Sequence, residues 1–118
     1  MKKPWLLPLV VSLHNLEEAI WLPRYWVRRG WQLWSASEFR VFATLVAGLA
    51  WLITYFSLRH QERSIARRLF LGFCWVMLLN AVWHIAASLY IHSYAPGVVT
   101  AIFLVLPATS YLLLWREP

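Results

Sequence analysis

The chain has 118 residues, of which 61% are hydrophobic and 17% aromatic, with a formal net charge of +6 and a mean hydropathy of +0.56. Those values lie outside the range of soluble globular domains and point to a bilayer as the solvent. The positive charge sits in short stretches beside apolar runs, where it reads as a topology signal and not as a nucleic-acid footprint, so no nucleic-acid partner is expected.

Crossing the hydrocarbon takes about 20 mostly apolar residues. Four runs qualify, and in chain order they predict helices over about 5–22, 39–58, 69–93 and 97–115. The first, WLLPLVVSLHNLEEAIWL, follows Lys2 and Lys3 and could pass for a signal peptide. Its core, however, contains Asn15, Glu17 and Glu18, and no small-x-small cleavage site precedes Pro23, so a retained helix is expected. The connection 23–38, PRYWVRRGWQLWSASE, is dense in Trp, Tyr and Arg and reads as an interfacial segment, partly helical until Gly30. Ser35 or Ser37 is placed to cap the second helix, with Glu38 near its positive end. That helix carries Ala43, Ala47, Gly48 and Ala50, small residues that permit close helix contact and a possible homodimer. The third run carries Asn80, His84 and His92; the fourth carries no charge but has Pro107, which predicts a kink and a freed carbonyl. Tyr94-Ala95-Pro96-Gly97 supplies the tight turn between them.

The expected architecture is thus an all-α membrane protein: one transmembrane domain over 1–118, a bundle of four transmembrane helices with an interfacial segment between helices 1 and 2. Lys2, Lys3, Arg59, Arg63, Arg67, Arg68 and Arg116 fall on one side and Arg24, Arg28, Arg29 and Arg40 on the other. This bias predicts an inner-membrane protein with both termini in the cytoplasm. Cys74 is the only cysteine, which excludes an intrachain disulfide and a thiolate metal cluster.

Charged residues inside an apolar run cost about 2.5–3.5 kcal/mol each at mid-helix, so His14, Glu17 and Glu18 mark a candidate site. At 100° per residue Glu18 lies about 40° from His14, and Glu17 about 60° to the other side. Trp21 falls near His14 on the same face. On the third helix Asn80, His84, Ser88 and His92 recur every four residues as a drifting polar stripe. Helices 1 and 3 run the same way across the membrane, and Glu18 and His84 lie at similar depth. The polar faces are therefore expected to meet, gathering His14, Glu17, Glu18, Asn80 and His84. A purely structural role as interhelical hydrogen-bond glue is the plainer reading, above all for Asn80.

His14-Asn15-Leu16-Glu17-Glu18, followed by Asn80-Ala81-Val82-Trp83-His84 and by Tyr94-Ala95-Pro96-Gly97-Val98-Val99-Thr100, resembles the family of small membrane proteins named for an HXXEE motif. The resemblance runs from about His14 to Pro107 and implies a multi-helix membrane protein suspected of being an enzyme. It supplies no reaction.

Three functions fit these residues. In the first, His14, Glu17, Glu18 and His84 ligate a divalent metal, zinc or iron; mixed nitrogen and oxygen ligands suit either. Two intramembrane carboxylates are too few for a di-iron bundle site, which wants about four. In the second, one Glu is a general acid and the other, paired with His14 or His84, a base. Either would serve an enzyme acting on a lipophilic small molecule from the membrane lipids, with Asn80, Ser88, Tyr94 and Trp21 as substrate-binding residues and isomerase, hydrolase or lyase chemistry. In the third, the same groups relay protons or ions, with Thr100, Thr109, Ser110 and Tyr111 on the fourth helix to line the path. A structural or assembly protein is the remaining alternative.

Overall fold

The computed structural model describes residues 3–30 and 34–114. These form helices α1 (Leu6–Arg29), α2 (Ala36–Arg59), α3 (Ser64–Ile91) and α4 (Val98–Leu114), with no strand among the described residues. Lys2 and Arg116 of the expected charge bias, residues 31–33 of the interfacial segment and the predicted helix end at 115 lie outside the described residues.

Local chemistry accounts for the helix ends. Ser35 Oγ accepts the Glu38 N–H at 3.1 Å and Glu38 Oε1 accepts the Ser35 N–H, a reciprocal capping box that starts α2. Gly30 ends α1 at φ +70°, a left-handed conformation that a residue without Cβ adopts freely. His92 takes the same role after α3 at φ +53° and turns its N–H back to Leu89 and Ser88. Ser88 Oγ closes this turn by donating to Ser93 O at 2.5 Å.

Two prolines shape the helices differently. Pro23 lies inside α1 and has no N–H for the Ala19 carbonyl one turn before it. Arg40 of α2 donates its Nε–H to that carbonyl at 3.1 Å. The expected distortion at Pro107 takes the form of a π-helical stretch, Ala101–Val105, just before the proline. A wider turn of this kind lets the chain absorb the missing donor without ending the helix.

The helices pack in sequence as an antiparallel α1–α2 pair joined to an α3–α4 pair. Asn15 Nδ2 donates to Ala43 O at 2.7 Å and Trp51 Nε1 to Ser12 Oγ at 3.0 Å, so α1 and α2 lie close along their length. Ala43 and Ala50 are buried inside the chain, which leaves Gly48 as a small residue on the open face of α2. Leu7, Val10 and Val11 of α1, Phe70, Cys74, Met77 and Ala81 of α3, and Ala101, Val105, Ala108 and Leu112 of α4 form the core seam. Cys74 is thus a packed thiol. Its helix 3 members recur at the spacing of one helical face, and His84 is the next buried position on it. On α1 the buried positions pass from Leu7, Val10 and Val11 to His14. The seam is therefore apolar along most of its length and turns polar at one end.

Two helices, Ala36–Arg59 and Ser64–Ile91, are long and apolar enough to cross a membrane; Val98–Leu114 is apolar but shorter. The first helix is not among them, because His14, Asn15, Glu17, Glu18 and its terminal arginines dilute its apolar length.

Candidate functional site

At the polar end of the seam, three helices converge on His14, which is fully buried. Glu18, one turn further along α1, places Oε1 2.6 Å from His14 Nε2. His84 of α3 brings its Nε2 to 3.3 Å from the same oxygen. The two imidazoles meet edge to face with centroids 4.8 Å apart, and ligand atoms of His14, Glu18 and His84 all lie within 4.8 Å of one another. Asn80, one turn before His84, adds Oδ1 at 3.0 Å from His14 Nε2.

Glu17 faces elsewhere. Its carboxylate accepts the Thr100 N–H at 2.9 Å, the Thr100 hydroxyl at 2.6 Å and the Tyr94 hydroxyl at 2.6 Å. Gly97, the residue before α4, has no side chain with which to cap that helix. Glu17 does so from α1, placing negative charge at the positive end of α4. Partial burial, and then the Glu17 carboxylate, push the Tyr94 phenol above its ordinary range.

Proton bookkeeping around Thr100 then fixes the His14 ring. A hydroxyl has one proton, and Thr100 donates it to Glu17. The contact of 2.8 Å between Thr100 Oγ and His14 Nδ1 is therefore donated by the imidazole. A neutral ring protonated at Nδ1 turns the lone pair of Nε2 towards Glu18 Oε1 and Asn80 Oδ1. Three acceptor atoms so close together require a proton or a metal cation among them. Turning the Asn80 amide over would remove one acceptor but not the carboxylate.

Gly97 closes the other side of the two rings. Its φ is +97°, and a Cβ there would come within 2.8 Å of His84 Cε1 and 3.0 Å of His14 Cε1. The 94–97 turn thus lies directly on the imidazoles, and only glycine leaves room for them.

Of the residues singled out in the sequence, His14, Glu18, His84 and Asn80 come together. Glu17 and Tyr94 form the adjoining network, with Glu17 turned away from the His14–Glu18–His84 group. Ser88 is engaged in the turn at the end of α3, and His92 caps that helix. Trp21 is exposed, with the Arg24 guanidinium 5.6 Å above its ring. The four-residue stripe on α3 drifts by about 40° per step, which carries Ser88 and His92 off the face that Asn80 and His84 share. Thr109 of α4 returns its hydroxyl to Val105 O at 2.7 Å. Thr100, expected only to line a path on the fourth helix, and Gly97, expected only as a turn residue, are the positions whose place beside His14 helical periodicity missed; the signal available was the run Tyr94 to Thr100, whose turn residues lead directly into a helix.

The match to known proteins covers nearly the whole chain. Residues 5–112 match the family described as proteins of unknown function with an HXXEE motif. The chain is 32% identical over 120 residues to the uncharacterized protein YrkK of Bacillus subtilis (strain 168), an alignment that covers 91% of this chain and 75% of that protein. No solved structure matches. His14-x-x-Glu17-Glu18 is the motif itself, and the chain belongs to the HXXEE family.

Proposed function

We propose that this is a four-span protein of the inner membrane in which His14, Glu18 and His84 hold one divalent metal ion, zinc or ferrous iron, in an enzyme acting on a lipophilic small molecule. Membrane placement is supported by the outer faces of the helices, where Leu52, Trp83 and Phe103 are 67%, 68% and 71% exposed. Large apolar side chains exposed on this scale are tolerated in lipid and disfavoured in water. The positive-inside bias supports cytoplasmic termini.

The observation that carries the metal reading is the convergence of His14 Nε2 and His84 Nε2 on Glu18 Oε1, with the His14 ring held from its other nitrogen by Thr100 and Glu17. Two histidines and one carboxylate are a recurrent set for catalytic zinc and for ferrous iron, with positions left open. Ligand atoms about 2.0–2.1 Å from a tetrahedral ion lie roughly 3.3 Å apart. The His84–Glu18 separation of 3.3 Å already has that value, while His14–Glu18 at 2.6 Å has to open by rotation of the Glu18 side chain. A bound ion supplies a Lewis acid and an activated water at its open position. The chain's own groups do the rest: Glu17 and Thr100 hold the His14 ring, Asn80 orients what lies beside Nε2, and Gly97 and Tyr94 cover the site.

A second reading is favoured by the short His14–Glu18 contact, which also suits a proton shared between the two groups. The same residues then work as a general acid–base pair on a bilayer-borne substrate.

The test is elemental mass spectrometry on protein extracted from carbonate-washed membranes into mild detergent, without added metal. We expect about one equivalent of zinc or iron per chain, lost in His14→Ala, Glu18→Gln and His84→Ala but retained in His92→Ala. Folded protein without metal, and without uptake on zinc titration, overturns the metal reading in favour of acid–base chemistry. Recovery of the protein in the carbonate wash overturns the membrane placement.

A further inference from the structure

Beyond the histidine site, the end of α1 and the start of α2 border an open surface groove of about 400 Å³ lined by Pro23, Arg24, Val27, Arg28, Ala36 and Arg40. This size suits a small-molecule headgroup. Its lining surface is almost wholly apolar, and Arg24, Arg28 and Arg40 are the charged residues bordering it among the described residues. Arg24 and Arg28 lie one turn apart on the same face of α1, a like-charge pair that is unfavourable without a counter-ion. No carboxylate among the described residues is within ion-pair distance of Arg24, Arg28 or Arg40. Glu38, the acidic residue nearest Arg40 in sequence, is occupied with the Ser35 cap. Arg24 lies over Trp21 and Arg40 keeps its remaining N–H groups after donating Nε–H to Ala19 O.

We infer that this groove binds the phosphate of an anionic phospholipid, with Arg24, Arg28 and Arg40 as donors and Pro23, Val27 and Ala36 against the glycerol and upper chain. A guanidinium matches a phosphate bidentately, and three of them supply more than enough positive charge to compensate a phosphodiester. The flanking aromatics Trp21, Trp26 and Trp34 mark the level at which headgroups lie. The apolar floor selects an amphiphile over a free anion. This inference rests on the membrane placement proposed above and is independent of the metal.

The test uses the full chain, purified in neutral detergent from carbonate-washed membranes. Its thermal unfolding is followed with palmitoyl-oleoyl phosphatidylglycerol, with the matching phosphatidylcholine, or with inorganic phosphate. Phosphatidylglycerol is expected to raise the midpoint and phosphatidylcholine to leave it unchanged. Arg24→Gln/Arg28→Gln is expected to weaken the phosphatidylglycerol response roughly thirtyfold, whereas Arg67→Gln/Arg68→Gln, which removes the same charge near the start of α3, retains it. Arg28→Gln alone, which touches no described partner, keeps the test open if the double variant does not fold. Equal losses in both double variants, an equal response to inorganic phosphate, or no response to phosphatidylglycerol overturns the inference. Because the protein comes from washed membranes, each of these failures counts against the groove and not against membrane placement.

Discussion

Gly97→Ala is the most exacting perturbation of the site, because it changes no charge and no hydrogen-bonding group. The added methyl carbon would lie 2.8 Å from His84 Cε1, 2.9 Å from His84 Nδ1 and 3.0 Å from His14 Cε1. Carbon contacts rest at about 3.5–4.0 Å, so both rings must retreat by roughly half an ångström or the turn must move. Overpacking of this kind costs about 1–3 kcal/mol. The left-handed φ of +97° adds backbone strain, about 1–3 kcal/mol for a residue with a Cβ. Together these approach a large fraction of a typical folding free energy of about 5–15 kcal/mol. Gly48→Ala is the matched control. Nothing lies within 4 Å of a Cβ there, and replacing glycine in a helix interior gains about 0.5–1 kcal/mol. The assay pairs denaturant unfolding in detergent with a cobalt titration read by its visible absorption. We expect Gly97→Ala to unfold at distinctly lower denaturant and to bind cobalt at least tenfold more weakly, about 1.4 kcal/mol. Gly48→Ala should match or exceed the native protein in both. Native-like stability and cobalt affinity in Gly97→Ala would refute the packing of the turn on the two imidazoles.

Thr100→Val removes the hydroxyl that sets the His14 ring and should weaken metal binding about 10–100-fold, while Thr100→Ser keeps it; equal affinities in the two variants would sink the proton bookkeeping. Arg40→Ala leaves the Ala19 carbonyl without its donor and should cost about 0.5–1.5 kcal/mol in lipid-free detergent. In a Pro23→Ala background the restored N–H reaches that carbonyl, so the same change should cost markedly less; a cycle with no coupling energy contradicts the pairing. Tyr94 holds its proton more tightly in the folded chain than unfolded, since its phenol is raised. Its contribution is therefore fully present below the ordinary tyrosine range near about 10 and is lost as pH rises through the folded value. Tyr94→Phe should make alkaline unfolding less steep, and an unchanged profile above that range counts against the Tyr94–Glu17 bond.

Much of the scaffold is written in local sequence. Ser35 and Glu38 sit three residues apart before an apolar run, and a capping box needs nothing else. Gly30, Gly97 and the prolines punctuate helices through their own allowed φ values and missing donors. The His14–Glu18 and Asn80–His84 pairs were legible for the same reason, because residues four apart on a helix must share a face. The end of α1 was legible too, since helix was expected until Gly30 and α1 runs to Arg29; what the sequence did not show is that an Arg40 guanidinium from α2 supplies the donor that Pro23 lacks, a contact between distant segments.

What periodicity could not decide is where neighbouring faces look. Glu17 and Glu18 are adjacent in the chain and both flank His14, yet one lies beside His14 and His84 and the other caps α4. The difference arises because the N-terminus of α4, with Gly97 as its cap residue, offers bare N–H groups on only one side of α1. Thr100, whose single proton sets the His14 tautomer, enters the site by that docking alone. Composition and helical spacing determined that His14, Glu18 and His84 would be available; the packing of α4 across α1 and α3 determined which atoms of them face one another.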